Sequence, residues 1–105
     1  MATTKEYLEF ILDGLSCLDG ITYKQMMGEY ILYYHGKITA YLCDNRFLVK
    51  PVPSAVRMLP DAKREAPYDG AKEMLVVDDV EDRDFLTCLL EEIYEELPEP
   101  KRRNK

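Results

Sequence analysis

Residues 23–51 read Tyr-Lys-Gln-Met-Met-Gly-Glu-Tyr-Ile-Leu-Tyr-Tyr-His-Gly-Lys-Ile-Thr-Ala-Tyr-Leu-Cys-Asp-Asn-Arg-Phe-Leu-Val-Lys-Pro. The stretch is dense in Tyr, Ile, Leu and Val. It is punctuated by Gly28, by His35-Gly36 and by Asp44-Asn45. β-branched and aromatic runs separated by two-residue turn signals predict a meander of antiparallel strands. The expected strands are 21–26, 30–34, 37–43 and 46–50, the last stopped by Pro51. In the second, Tyr30, Leu32 and Tyr34 share one face and Ile31 and Tyr33 the other, so both faces are expected to be at least partly covered. In the third, alternation places Ile38, Ala40 and Leu42 inward and Lys37, Thr39 and Tyr41 outward. In the fourth, Phe47 and Val49 oppose Arg46, Leu48 and Lys50.

Helical periodicity flanks this meander. Leu8, Ile11, Leu12, Leu15 and Leu18 recur at helical intervals, with Tyr7 and Phe10 widening the stripe. Thr3 or Thr4 supplies the cap, Thr3 and Glu6 having capping-box spacing. Asp19-Gly20 ends the helix. After the meander, Pro53 and Ser54 open a short helix through Leu59, with Ser54 as cap and Val56 and Leu59 inward. Residues 61–72 are polar and form the longest irregular stretch, with Tyr68 as its one aromatic. Met74–Val77 reads as a short strand. A last helix follows, capped by Asp78 or Asp79, with Leu86, Leu89, Leu90, Ile93 and Leu97 as its apolar stripe. Residues 1–97 thus form one domain, and 98–105 a disordered basic tail with nothing to bury.

Composition narrows the function classes. The chain has 105 residues and a net charge of −6. Through Leu97 it carries ten basic and nineteen acidic residues, a net of −9. Such a body repels phosphate backbones, so no direct nucleic-acid contact is expected from it. The Lys101, Arg102, Arg103 and Lys105 tail is the one basic cluster. No apolar run approaches a membrane span and no signal sequence opens the chain, which makes the expected location the cytoplasm, without membrane contact. Cys17, Cys43 and Cys88 are odd in number and far apart, and His35 is the single histidine. This pattern predicts reduced, buried thiols, with no metal and no cofactor. No nucleophile elbow, phosphate-cradling loop or paired-carboxylate signature appears, so no catalytic residue is expected.

The tyrosines are the suggestive feature. Tyr couples a large contact area to a polar tip and is enriched at interfaces. Tyr30, Tyr33 and Tyr41, with Tyr68 in the long loop, are the interaction candidates.

Lys24-Gln25-Met26-Met27-Gly28-Glu29-Tyr30, then Leu32-Tyr33-Tyr34-His35-Gly36-Lys37, Ala40-Tyr41-Leu42-Cys43-Asp44 and Phe47-Leu48-Val49-Lys50, resemble the TfoX N-terminal domain family. The opening helix, Ala66-Pro67-Tyr68 and Met74 also fit. Met27 stands where the family often has Phe. The resemblance implies an α+β fold, a two-layer α/β sandwich of an antiparallel sheet with helices packed on it. The implied order is α-β-β-β-β-α-β-α, similar to secretion-chaperone-like folds. It also implies a bacterial, non-enzymatic role in regulating natural competence through a protein partner. The alternative expectation is a small-ligand or peptide site formed by the sheet face and the 61–72 loop. A homodimer through an edge strand or through the short Met74–Val77 strand is a further expectation.

Overall fold

The computed structural model describes residues 3–26, 28–67 and 69–98. Met27, Tyr68 and the 99–105 tail, all singled out in the sequence, lie outside the described residues. The element order is α1 (Lys5–Gly14), β1 (Ile21–Met26), β2 (Glu29–Tyr34), β3 (Lys37–Cys43), β4 (Arg46–Val49), α2 (Pro53–Met58), β5 (Arg64–Glu65), β6 (Met74–Val77) and α3 (Arg83–Tyr94). The strands form an antiparallel sheet in the order β1-β2-β3-β4-β6-β5. This is the expected α+β architecture with one addition. Within the 61–72 loop, Arg64–Glu65 pairs with β6, and the amide of Val76 donates to the Lys63 carbonyl at 2.9 Å. β6 is therefore an interior strand, and the route to a dimer through it is closed.

The turns follow from their residues. His35 and Gly36 have φ of 50° and 83°, and Asp44 and Asn45 both have φ of 56°. Positive φ at both central positions makes a two-residue hairpin whose twist matches its strands, and Gly and Asn tolerate it best.

Alternation then sorts the side chains. Tyr30, Leu32, Ala40, Leu42, Phe47, Val49, Leu75 and Val77 join Leu8, Ile11 and Leu15, Ala55, and Leu86, Leu89, Leu90 and Ile93 in one core between sheet and helices. The α3 stripe is buried throughout, as its periodicity requires. Phe10 instead is about half exposed, and α1 ends at Gly14, with Leu15 and Leu18 kept inward by tighter i→i+3 turns.

Three local expectations are corrected and one choice is decided: of the two cap candidates it is Thr4 that caps α1, its hydroxyl accepting from the Tyr7 amide at 3.1 Å. Thr3 is buried and donates to Glu29 at 2.7 Å, because Glu29 gathers donors from the N-terminus and from the Asp44 amide. In α2 the helix begins at Pro53, whose fixed φ suits the first turn. Ser54 is therefore inside the helix and Ala55, not Val56, points inward. At α3 the cap is Asp82, accepting from the Phe85 amide at 3.0 Å, three residues nearer the stripe than Asp79.

β3 carries the largest departure. Leu32 pairs with Ala40 but Tyr33 pairs with Ile38, so Thr39 is an extra residue in the strand. A β-bulge shifts the period by one and exchanges the faces on one side of it. Ile38 therefore shares a face with Tyr33, away from the helices. Lys37 shares the helix face with Tyr34, and is buried there. Its Nζ donates to the Tyr94 carbonyl at 3.0 Å and lies 4.3 Å from the centroid of the Tyr94 ring. A cation at the last turn of α3 meets the negative end of the helix dipole.

Candidate functional site

The second face of the sheet receives no helix among the described residues. Its centre is Cys43, Leu48, Met74 and Val76, all buried, with Tyr41 packed against them. Ile31, opposite Tyr41, is also buried. Tyr33 and Ile38 are half-buried and directly paired. Arg46, on the same face as Cys43 and Leu48, donates from Nε to the Cys43 carbonyl at 3.1 Å and forms an ion pair with Glu65. Those two residues lie on strands either side of β6, so their side chains bridge across it. Long side chains thus seal a small apolar patch where no helix does. Burial pushes the Cys43 thiol up to about 11, helped by the Glu29 carboxylate and opposed by Arg46. A thiol held protonated in an apolar patch is a small hydrophobe, not a nucleophile.

A cleft of about 470 Å³ opens at one end of this face. Tyr41 and Met74 of the sheet, Lys50 just past β4, Pro67 and Lys72 of the loop, and the carboxylates Glu73 and Glu96 line it. Glu96 is already engaged, accepting from the Ser54 amide at 2.8 Å and from its hydroxyl at 2.6 Å. These hydrogen bonds hold its carboxyl below the usual range. Two lysines beside apolar walls suit a ligand with a carboxylate or a peptide C-terminus.

The structure brings Tyr33 and Tyr41 together on the helix-free face, on a diagonal across β2 and β3. Tyr30 is separated from them. It is 7% exposed and belongs to the helix-side core, its ring 5.8 Å edge-on from Tyr23. A buried ring cannot meet a partner, so Tyr30 is a packing residue. Tyr68 lies outside the described residues. The cysteines are all free, but Cys17 and Cys88 are exposed, since Cys17 follows the end of α1 and Cys88 falls off the α3 stripe. No group of three or more metal-ligating side chains converges among the described residues. Lys50 and Lys72 escaped the sequence reading as site residues, because only the fold brings the end of β4 and the loop to one cleft. In the same loop, Pro67 is buried.

Among curated proteins, the chain is 36% identical over 104 residues to an uncharacterized 12.7 kDa protein encoded in the trpE 5′ region of Spirochaeta aurantia. The alignment covers 98% of this chain and 90% of that protein. The chain belongs to the family of this spirochaete protein. The two proteins are of similar length. No protein-family model matches the chain. No solved structure matches it either. Among the described residues, no helix is long and apolar enough to cross a membrane.

Proposed function

We propose that the chain is a TfoX-like regulatory module that acts in the control of natural competence, in the cytoplasm, by binding a protein partner without catalysis. The observation that carries this reading is the helix-free face, where half-buried Tyr33 and Tyr41 stand over Ile31 and Ile38. Apolar surface rimmed by aromatic and charged groups is the usual composition of a protein-binding patch. The acidic body favours a protein partner over a phosphate backbone. The test is a transformation assay in the bacterium that encodes the chain. Deletion of the gene is expected to lower transformation frequency. The wild-type chain restores it, and a Tyr33→Ala/Tyr41→Ala variant that retains the wild-type melting curve does not. Unchanged transformation on deletion removes the competence role, and full rescue by the double variant removes the tyrosine face.

The cleft beside Tyr41 favours a second reading, a small-ligand or peptide site held by Lys50, Lys72 and the 61–72 loop. A thermal-shift screen of carboxylates and short peptides addresses it. A ligand at a hundredfold over its Kd stabilises by about 2.7 kcal/mol, a readily visible shift. Lys50→Ala/Lys72→Ala should abolish any shift that depends on this cleft.

A further inference from the structure

We propose that two copies of this chain join through β1, antiparallel, about a two-fold axis at Tyr23. β1 is an edge strand of six residues, and all but Ile21 are exposed. Its hydrogen-bonding phase follows from one bond. The His35 amide donates to the Gly20 carbonyl at 2.9 Å, and the β1–β2 register makes these residues opposite each other. Bonded pairs recur every second residue in an antiparallel ladder. Thr22, Lys24 and Met26 therefore bond to β2, and the N–H and C=O groups of Ile21, Tyr23 and Gln25 point to the free edge. An unpaired row of this kind is a template for another strand.

Symmetry and charge choose a second copy as that strand. Ile21 and Gln25 are equidistant from Tyr23. A two-fold axis there pairs each outward group with one from the other copy: Ile21 with Gln25, Tyr23 with Tyr23 and Gln25 with Ile21. Tyr23 is 49% exposed. In this register it meets the second copy's Tyr23 on the helix side of the sheet, a favourable aromatic cross-strand pair. A cleft of about 450 Å³, walled by Leu12, Leu15, Leu18 and Ile21, lies beside Tyr23 and receives the incoming strand's side chains. Lys24 is the one charge on β1, and it faces Thr22 of the second copy. The molecule is acidic overall, at −6, yet β1 carries no carboxylate, so two copies meet here without opposing carboxylates within the paired strands. The other edge offers no such template. β5 has two residues, and its Glu65 is committed to Arg46.

Sedimentation equilibrium across a concentration series, read together with amide exchange of the full chain, tests the proposal. The mass is expected to rise from 12.2 kDa toward twice that value. As it does, the Ile21, Tyr23 and Gln25 amides gain protection, while Thr22, Lys24 and Met26 are protected at every concentration. Tyr23→Lys places two like charges opposite each other and should leave a monomer. Gln25→Pro removes an outward N–H without touching the β2 ladder, and should weaken the dimer even if Tyr23→Lys folds poorly. A chain that stays at 12.2 kDa throughout overturns the proposal, and is the result expected if the edge serves a foreign strand instead. So does a dimer whose Ile21, Tyr23 and Gln25 amides stay unprotected.

Discussion

Phe47 and Leu48 are neighbours on β4, and neither has any exposed surface, yet they belong to different cores. Phe47 lies under three helices, in a cluster to which α1, α2 and α3 all contribute. Leu48 lies on the other face, in a cluster of four buried residues with no helix above them among the described residues. The difference shows that full burial has two origins here. On one face it comes from packed layers, and on the other from the strands' own long side chains folding over short ones. The first holds the fold together. The second is a thin seal whose rim, Tyr33 and Tyr41, is what a partner would meet.

The comparison is open to attack by substitution. Phe47→Ala should be the most damaging, costing about 3–5 kcal/mol, which is much of a small domain's stability. Leu48→Ala should fall near the lower end of the ~2–5 kcal/mol range, because a patch bounded by partly exposed side chains can collapse into the gap. Chemical denaturation of both variants decides this, and equal losses would show that the helix-free face is as tightly packed as the other. Lys37→Ala should cost about 1–2 kcal/mol through the lost bond to the Tyr94 carbonyl at the negative end of α3. Were Lys37 on the open face, as simple alternation has it, the loss would be within ~0.5 kcal/mol.

Gly14→Ala should stabilise by about 0.5–1 kcal/mol, since Gly is a poor helix former. A Cβ there would meet Arg83 Cγ at 3.9 Å and Leu86 Cδ1 at 4.0 Å, which is ordinary contact. A drop in melting temperature would mean that α1 and α3 are closer than these distances say. The smallest effect is on pH dependence. The Cys43 pKa is raised, from 9.0 to about 11, so the folded state favours the protonated thiol. Its contribution is full below pH 9 and is lost as pH rises through about 11. Stability measured from pH 8 to 11 should fall less steeply in Cys43→Ala than in the wild type. Parallel slopes would assign the alkaline loss to other groups, such as Tyr7, raised by burial to about 12, and Tyr34, also raised by burial.

Much of this molecule is local and was legible. His35-Gly36 and Asp44-Asn45 are turn residues because of the backbone angles they tolerate, and those angles alone fix the hairpins. β1, β3 and β6 occupy the expected spans, and the α3 stripe is buried, because periods of 2 and 3.6 are written in single stretches of chain. Part of the candidate site was legible in the same way: Tyr33 and Tyr41 alternate away from Leu32 and Leu42, and the face follows.

What alternation could not supply depends on neighbours distant in sequence. The bulge at Thr39 belongs to the pairing of two strands, and nothing in Lys37-Ile38-Thr39-Ala40 announces it. It moves Lys37 under α3 and Ile38 beside Tyr33. Tyr30 and Tyr33 look alike in sequence, and only helices placed on one face bury the first and spare the second. Ser54 resembles a cap until Pro53 takes the first turn and Glu96, forty-two residues on, takes its hydroxyl. The sequence by itself determined every element but β5, the turns between the hairpin strands and the antiparallel class, since these rest on backbone geometry and short-range periodicity. Tertiary structure decided which face is open, which edge is free and which lysine is buried, because each rests on contacts between residues far apart along the chain.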